Sequence, residues 1–309
     1  MQDLERAFAR AAAAYNANRP HLDQTREVIR TALELLGEAE LGPYADFRLR
    51  NVQTRYSVFT LGASVSRPVV TGMLIGEEQP FEELEAEALR LLRAGQPYGD
   101  EEAARVTTYL YTAVMAFACC YDLWKPGSRK TPGTFFEIFM AALFGLYAPR
   151  HRLSKHVNLG DLLGVDVDAN APDDAVDEEA EDASVSTDIV VTSSVSGISA
   201  VLPLKITTRE RIVQPYAHQR ILDAARPGLY RSFLCCMSET QLDKKKRRVN
   251  QICVPGTVRL FQRFLSRLDG LYYCDIPARY AWPEFTRQVP VKPLGFVFAD
   301  VAALLDREA

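Results

Sequence analysis

Residues 134–147 carry Phe135, Phe136, Ile138, Phe139, Met140, Ala141, Ala142, Leu143 and Phe144, and a single charge, Glu137. The stretch reads as a helix that opens after Pro132-Gly133. A helix this apolar belongs in a core. A carboxylate inside it is costly to bury unless it is paired or holds a cation. The alternative is a place in the first turn, where the helix dipole favours negative charge and water reaches it. Glu137 on its own leaves both readings open, and the residues that could join it lie downstream.

The region before this helix reads as mainly helical. Residues 4–15 are alanine-rich, and 25–36 place Val28, Ile29, Ala32, Leu33, Leu35 and Leu36 at helical spacing. Residues 56–75 read as irregular or strand-like. An amphipathic helix follows over 82–93, and a long one runs from the N-cap candidate Asp100 to about 124, where Pro126-Gly127 ends it. After the apolar helix come strands at 188–192 and 198–206, joined by a Ser/Gly turn. A helix starts near Pro215 and stops before Pro227-Gly228. Strands at 230–237, 249–254 and 271–276 and a helix at 257–268 complete the pattern, and the tail 295–305 adds a strand or a helix. The expectation is an α/β chain: a mainly helical region over 1–125, then a central mixed β-sheet flanked by helices over 126–309.

Charge does not exclude a nucleic-acid partner. The net charge of −4 on 309 residues includes seven acids and no base between 173 and 182. Without those seven, 36 basic residues face 33 acidic ones, a balance of +3. The segment 165–186 around the acidic run reads as a mobile connection. Positive charge clusters at Lys244-Lys245-Lys246-Arg247-Arg248, either a solvated loop or a contact to a phosphate backbone. The apolar share of 48% and charged share of 25% leave room for a large core. No uninterrupted apolar run approaches a membrane span, so no membrane partner is expected. The first residues carry mixed charges, unlike a signal peptide. All six cysteines sit in apolar surroundings without metal-ligand spacing, which points to reduced, buried thiols and a cytoplasmic location.

The chemistry concentrates in Lys205-Ile206-Thr207-Thr208-Arg209-Glu210-Arg211. Two antiparallel strands joined by a short turn can bring Asp188, at the start of one, close to Lys205, near the end of the next. A carboxylate there can hold Mg²⁺, which prefers oxygen ligands. The lysine would orient a water or stabilise negative charge growing on a phosphate. Arginine pairs bidentately with guanine O6 and N7 and glutamate accepts from cytosine N4, so Arg-Glu-Arg suits neighbouring C·G pairs. The same triplet also occurs on many solvated helix faces, and an aspartate at a strand entry is common.

Taken in order, Gly133-Thr134-Phe135-Phe136-Glu137, Asp188 and the 205–211 segment resemble the PD-(D/E)XK nuclease core. They look most like the type II restriction endonucleases that recognise CCGG or CCNGG, the EcoRII and NgoMIV group. The resemblance covers roughly residues 130–225. It implies a restriction-endonuclease-like core and a homodimer, with a tetramer as the alternative. It further implies hydrolysis of both strands of double-stranded DNA at a short palindrome, with one or two Mg²⁺ ions per site and no organic cofactor. Glu137, Asp188, Lys205 and Gln219 are then the catalytic set, with Asp188 and Glu137 as metal ligands. Arg209, Glu210 and Arg211 read bases, and the N-terminal region serves dimerisation and DNA contacts.

Two positions depart from the pattern. Pro203 stands where an acid usually precedes the lysine. The group's alternative acid, thirteen or fourteen residues after the lysine, falls on His218 and Gln219. A DNA-binding protein without cleavage is therefore a competing reading, as is a structure-specific repair nuclease. Members that read an odd number of base pairs flip the central bases onto a side chain. Arg55 and Tyr56 are candidates by residue type, with core packing as the alternative for the aromatic. The inner C·G pairs follow from the resemblance; TCCNGGA is one of several sites compatible with it.

Overall fold

The computed structural model describes residues 1–74, 80–128, 130–160 and 184–306. Helices α1 (Gln2–Asn16) and α2 (Leu22–Leu36) are followed by a long antiparallel hairpin, β1 (Glu40–Leu49) and β2 (Val52–Leu61). Two short strands, β3 (Ser64–Val65) and β4 (Val69–Val70), pair on β2. Then come α3 (Phe81–Ala94), α4 (Asp100–Trp124) and α5 (Thr131–Tyr147). The helices fall where the apolar spacing puts them. The hairpin is an addition to the helical region, and only the latter part of its second strand, from Tyr56, lay in the stretch expected to be strand-like. Gly42 and Pro43 interrupt β1, and the register slips between Pro43 and Ala45, so β1 lacks the clean alternation of a strand.

The main sheet of the described residues has the order β13-β12-β9-β7-β6-β5, with β8 also on β9. β5 (Arg152–Asn158), β6 (Ser184–Thr192) and β7 (Ser199–Leu202) are antiparallel. β7 and β8 (Leu204–Lys205) run parallel to β9 (Tyr230–Cys236), which pairs in parallel with β12 (Gly270–Tyr273) and it with β13 (Val291–Pro293). The sheet is mixed, as expected. β6 starts earlier than the hairpin reading put it: Ser184 to Ser186 pair with β5 rather than belonging to a mobile connection, while 165–183 lie outside the described residues.

Side chains alternate between two cores, as a strand buried on both faces requires. Phe233, Cys235 and Met237 join Ile189, Val191, Ala200 and Leu202 in the cluster that contains α4 and α5. Leu234 and Cys236 face the other way, toward α6 (Val213–Ala225) and α7 (Pro255–Phe264). Val190 and Val201 pack on Leu222 of α6. The first cluster runs from Leu4 to Leu305 at the end of α8 (Val297–Leu305), so the helical region and the sheet share one core. α4 is long and apolar enough to cross a membrane, but 83% of its most apolar window is buried inside this core. The strand expected at 249–254 is instead β11 (Arg248–Gln251), in a separate hairpin with β10 (Thr240–Asp243). Lys244 to Arg247 form the turn of that hairpin. All six cysteines are buried and unpaired as disulfides.

Candidate active site

The hairpin register sets the centre of the site. Ile189 pairs with Leu202, which puts Asp188 opposite Pro203 one step further on. Proline has no N–H, so the ladder between the two strands stops there. The next N–H, of Leu204, turns to the side chain and donates to Asp188 Oδ2 at 2.6 Å. Lys205 Nζ donates to the same oxygen at 2.9 Å. Pro203 thus supplies no acid, but it ends the ladder where the Asp188 carboxylate takes over. Asp188 and Lys205 keep 27% and 18% of their side-chain surface exposed, so the pair can meet a substrate.

Glu137 joins them from α5, in the second turn of the helix rather than at its end. It is partly buried, and the Tyr15 hydroxyl of α1 donates to its Oε1 at 2.8 Å. Burial pushes its carboxyl above the ordinary carboxylate range; the Tyr15 bond pulls it down, Asp188 pushes it up, and Lys155 and Lys205 pull it down. Glu137, Asp188 and Lys205 line one open cleft of about 1060 Å³, with Arg211, Lys125 and Lys244 on its walls. A smaller recess of about 380 Å³ meets the same Asp188–Lys205 pair and is lined by Gln214 and His218 of α6.

Two carboxylates facing one cleft are a hard-oxygen donor set that suits a Mg²⁺ ion keeping several waters. Among the described residues both hydrogen bonds to Asp188 fall on Oδ2, which leaves Oδ1 for a ligand. No described group of three or more His, Cys, Asp or Glu side chains converges on one metal position.

No family model and no curated protein matches the chain. Among solved structures, the crystal structure of the type IIP restriction endonuclease Kpn2I has a TM-score of 0.86 and 43% sequence identity, covering 99% of this chain and 98% of that one. A complex of the restriction endonuclease PspGI with substrate DNA has a TM-score of 0.39 and 13% identity over 74% of this chain and 94% of that one. The chain belongs to the type II restriction endonucleases. The repair-nuclease reading and the reading without cleavage give way to it.

In this endonuclease Gln219 does not reach the site. It is buried on the far side of α6, where its amide donates to Asp223 Oδ1 at 2.7 Å and to Tyr230 O at 2.9 Å. Its carbonyl accepts from Ser232 Oγ at 2.5 Å. Every polar atom of the side chain ties the helix to β9. His218, one residue earlier, opens onto Asp188 and Lys205 instead. Burial holds its imidazole below the ordinary histidine value, with Lys205 adding to the effect and Asp188 opposing it.

Arg209 to Ile212 form one 3-10 turn, separated from the end of β8 by three residues. Arg211 is exposed and lines the large cleft. The side chains of Arg209 and Glu210 lie outside the described ones. Tyr56 is not available for base stacking: it is 1% exposed, and its hydroxyl donates to Asp275 Oδ2 at 2.8 Å. Arg55, its neighbour on β2, is exposed and pairs in register with Asp46. Tyr15 is the residue at this site that sequence reasoning passed over; it ended an alanine-rich helix 122 positions from Glu137 and carried no local signal.

Proposed function

We propose that this endonuclease hydrolyses both strands of a short palindrome containing CC/GG, of the CCGG or CCNGG type, as a Mg²⁺-dependent homodimer. One observation carries the reading. The Asp188–Lys205 pair and Glu137 share a cleft, and four residues after the lysine the same chain enters the Arg-Glu-Arg turn. On this reading the cleavage centre and the reading head lie four residues apart on one segment, the first at the end of a strand and the second in the turn that follows.

Lys205 would place its ammonium beside the scissile phosphate, held at 2.9 Å by Asp188, and stabilise the negative charge that grows on the phosphoryl oxygens. Glu137 and Asp188 would hold the metal, which when bound supplies polarisation of the phosphate and a water of lowered pKa. Tyr15 fixes the Glu137 carboxylate from the N-terminal helix. Arg209 and Arg211 would pair with guanines and Glu210 with cytosine in the major groove. Lys125 and Lys244 on the cleft wall would neutralise backbone phosphates and make binding salt-dependent.

The test is digestion of plasmid DNA with Mg²⁺, followed by sequencing of the ends. Discrete fragments whose ends share a palindrome with inner CC/GG are expected. Ends without a common sequence, or a common sequence lacking those pairs, would overturn the assignment.

A further inference from the structure

The contact between the cleavage strand and β9 continues past its last sheet pair. Beyond Leu204–Cys235 and Lys205–Cys236, the Met237 N–H donates to Lys205 O at 3.0 Å and the Ser238 N–H to Ile206 O at 3.1 Å. The backbone zip thus carries the chain from the lysine toward the reading turn. At Thr208 the partner changes from backbone to side chain. The carboxylate of Glu239, 1% exposed, accepts the Thr208 N–H at 3.2 and 3.1 Å on its two oxygens. It also accepts the Thr208 hydroxyl, and the Tyr273 hydroxyl at 3.3 Å. Thr208 O in turn accepts the Arg211 N–H at 2.9 Å, the bond that closes the 3-10 turn.

We propose that Glu239 is a positioning residue for base recognition: it fixes Thr208, and so sets the direction in which Arg209, Glu210 and Arg211 leave the strand. The proposal rests on the reading of that triplet as the base-contacting head. A carboxylate is expensive to bury, and an apolar side chain would fill the same space without that cost. What the carboxylate adds is direction, since its bonds fix one residue at the hinge between strand and turn. Bidentate readout needs that direction, because a recognition group must be held to within about 0.5 Å of its working position. Charge-assisted bonds to a buried carboxylate are strong enough to hold a one-turn helix that is too short to hold itself.

The test uses the full-length enzyme and the variants Glu239→Gln, Thr208→Val, Thr208→Ser and Arg209→Ala. Binding is measured by gel shift in Ca²⁺ on two duplexes: the site found by end sequencing, and the same site with one inner C·G pair replaced. Thermal melts check that each variant folds. Glu239→Gln and Thr208→Val should lower the ratio of the two affinities by about tenfold or more, the scale of one bidentate contact. Thr208→Ser keeps the hydroxyl and should stay within about twofold of the wild-type ratio, because both bonds to the carboxylate survive. If Thr208→Val and Glu239→Gln weaken both duplexes equally, or change neither, the positioning role is refuted. In that case loss of the ratio in Arg209→Ala leaves the triplet reading standing. If Arg209→Ala itself keeps the ratio, the triplet reading falls and the proposal with it.

Discussion

Glu137 and Glu239 sit at the two ends of one short segment, and their surroundings are opposite. Glu137 stands near Lys205 at the start of the segment, opens on the cleft, and has Tyr15 as its hydrogen-bond donor. Glu239 grips Thr208 at the far end, is sealed from solvent, and takes bonds from Thr208 and Tyr273 on its two oxygens. The difference separates two uses of a carboxylate in an apolar protein. One that must bind something keeps an oxygen unspent and tolerates a raised pKa; one that must hold something spends its oxygens on donors from the chain. On the proposed function, the segment between them joins the cleavage centre to the reading turn without a flexible linker.

The comparison breaks most visibly at the open end. Lys205→Ala should lower single-turnover cleavage by about 10²–10³-fold, the loss seen when one group stabilising transition-state charge is removed. Binding of the cognate duplex in Ca²⁺ should survive. If cognate binding fell as far as cleavage, the lysine would belong to recognition and the division of labour would be wrong. Arg209→Ala should do the reverse. Loss of one bidentate pair weakens discrimination by about 1–3 kcal/mol while the fold stays intact, and gel shifts on matched and mismatched duplexes measure it.

How much of this was readable in the chain follows from the distances involved. Asp188 and Lys205 flank a Ser/Gly turn, so their meeting depended on hairpin register alone. Glu137 was marked by being the one charge in an apolar helix. The helix after the triplet was harder: neighbouring side chains on a helix point about 100° apart, so choosing between His218 and Gln219 needed the phase of α6 against the sheet. Tyr56 stayed open between stacking and core packing because residues 56–59 are all buried in one strand, where no alternation separates core from surface. Tyr15 and Glu239 act through contacts 122 and 31 residues long, which no local pattern carries.

A milder change tests whether the open carboxylate is tuned. Tyr15→Phe removes the hydrogen bond that pulls the Glu137 carboxyl down, while burial and Asp188 still push it up. Glu137 must be ionised to hold a cation, so activity falls as pH drops through its raised value. In the variant that acid limb should move to higher pH, so that activity is lost earlier as the pH falls. A pH–rate profile with an unmoved acid limb would remove Tyr15 from the site.

Asp275 provides the smallest effect on activity and the sharpest check on the rule. It is sealed like Glu239, 6% exposed, but the Tyr56 hydroxyl is its side-chain donor among the described residues, and burial pushes its carboxyl from the ordinary 3.8 to about 7. Between those two values the folded chain holds a proton that the unfolded chain has lost. The stability this contributes is full at low pH, declines as pH rises above 3.8, and is gone above about 7. Asp275→Asn keeps a neutral acceptor for Tyr56 and removes the decline. Its melting temperature should gain on the wild type progressively from acid to neutral pH and level off above about 7, with cleavage specificity unchanged. A gain independent of pH would mean that Asp275 is ionised in the fold throughout. Sealing would then not be enough to raise a carboxylate, and the contrast between Glu137 and Glu239 would need another cause.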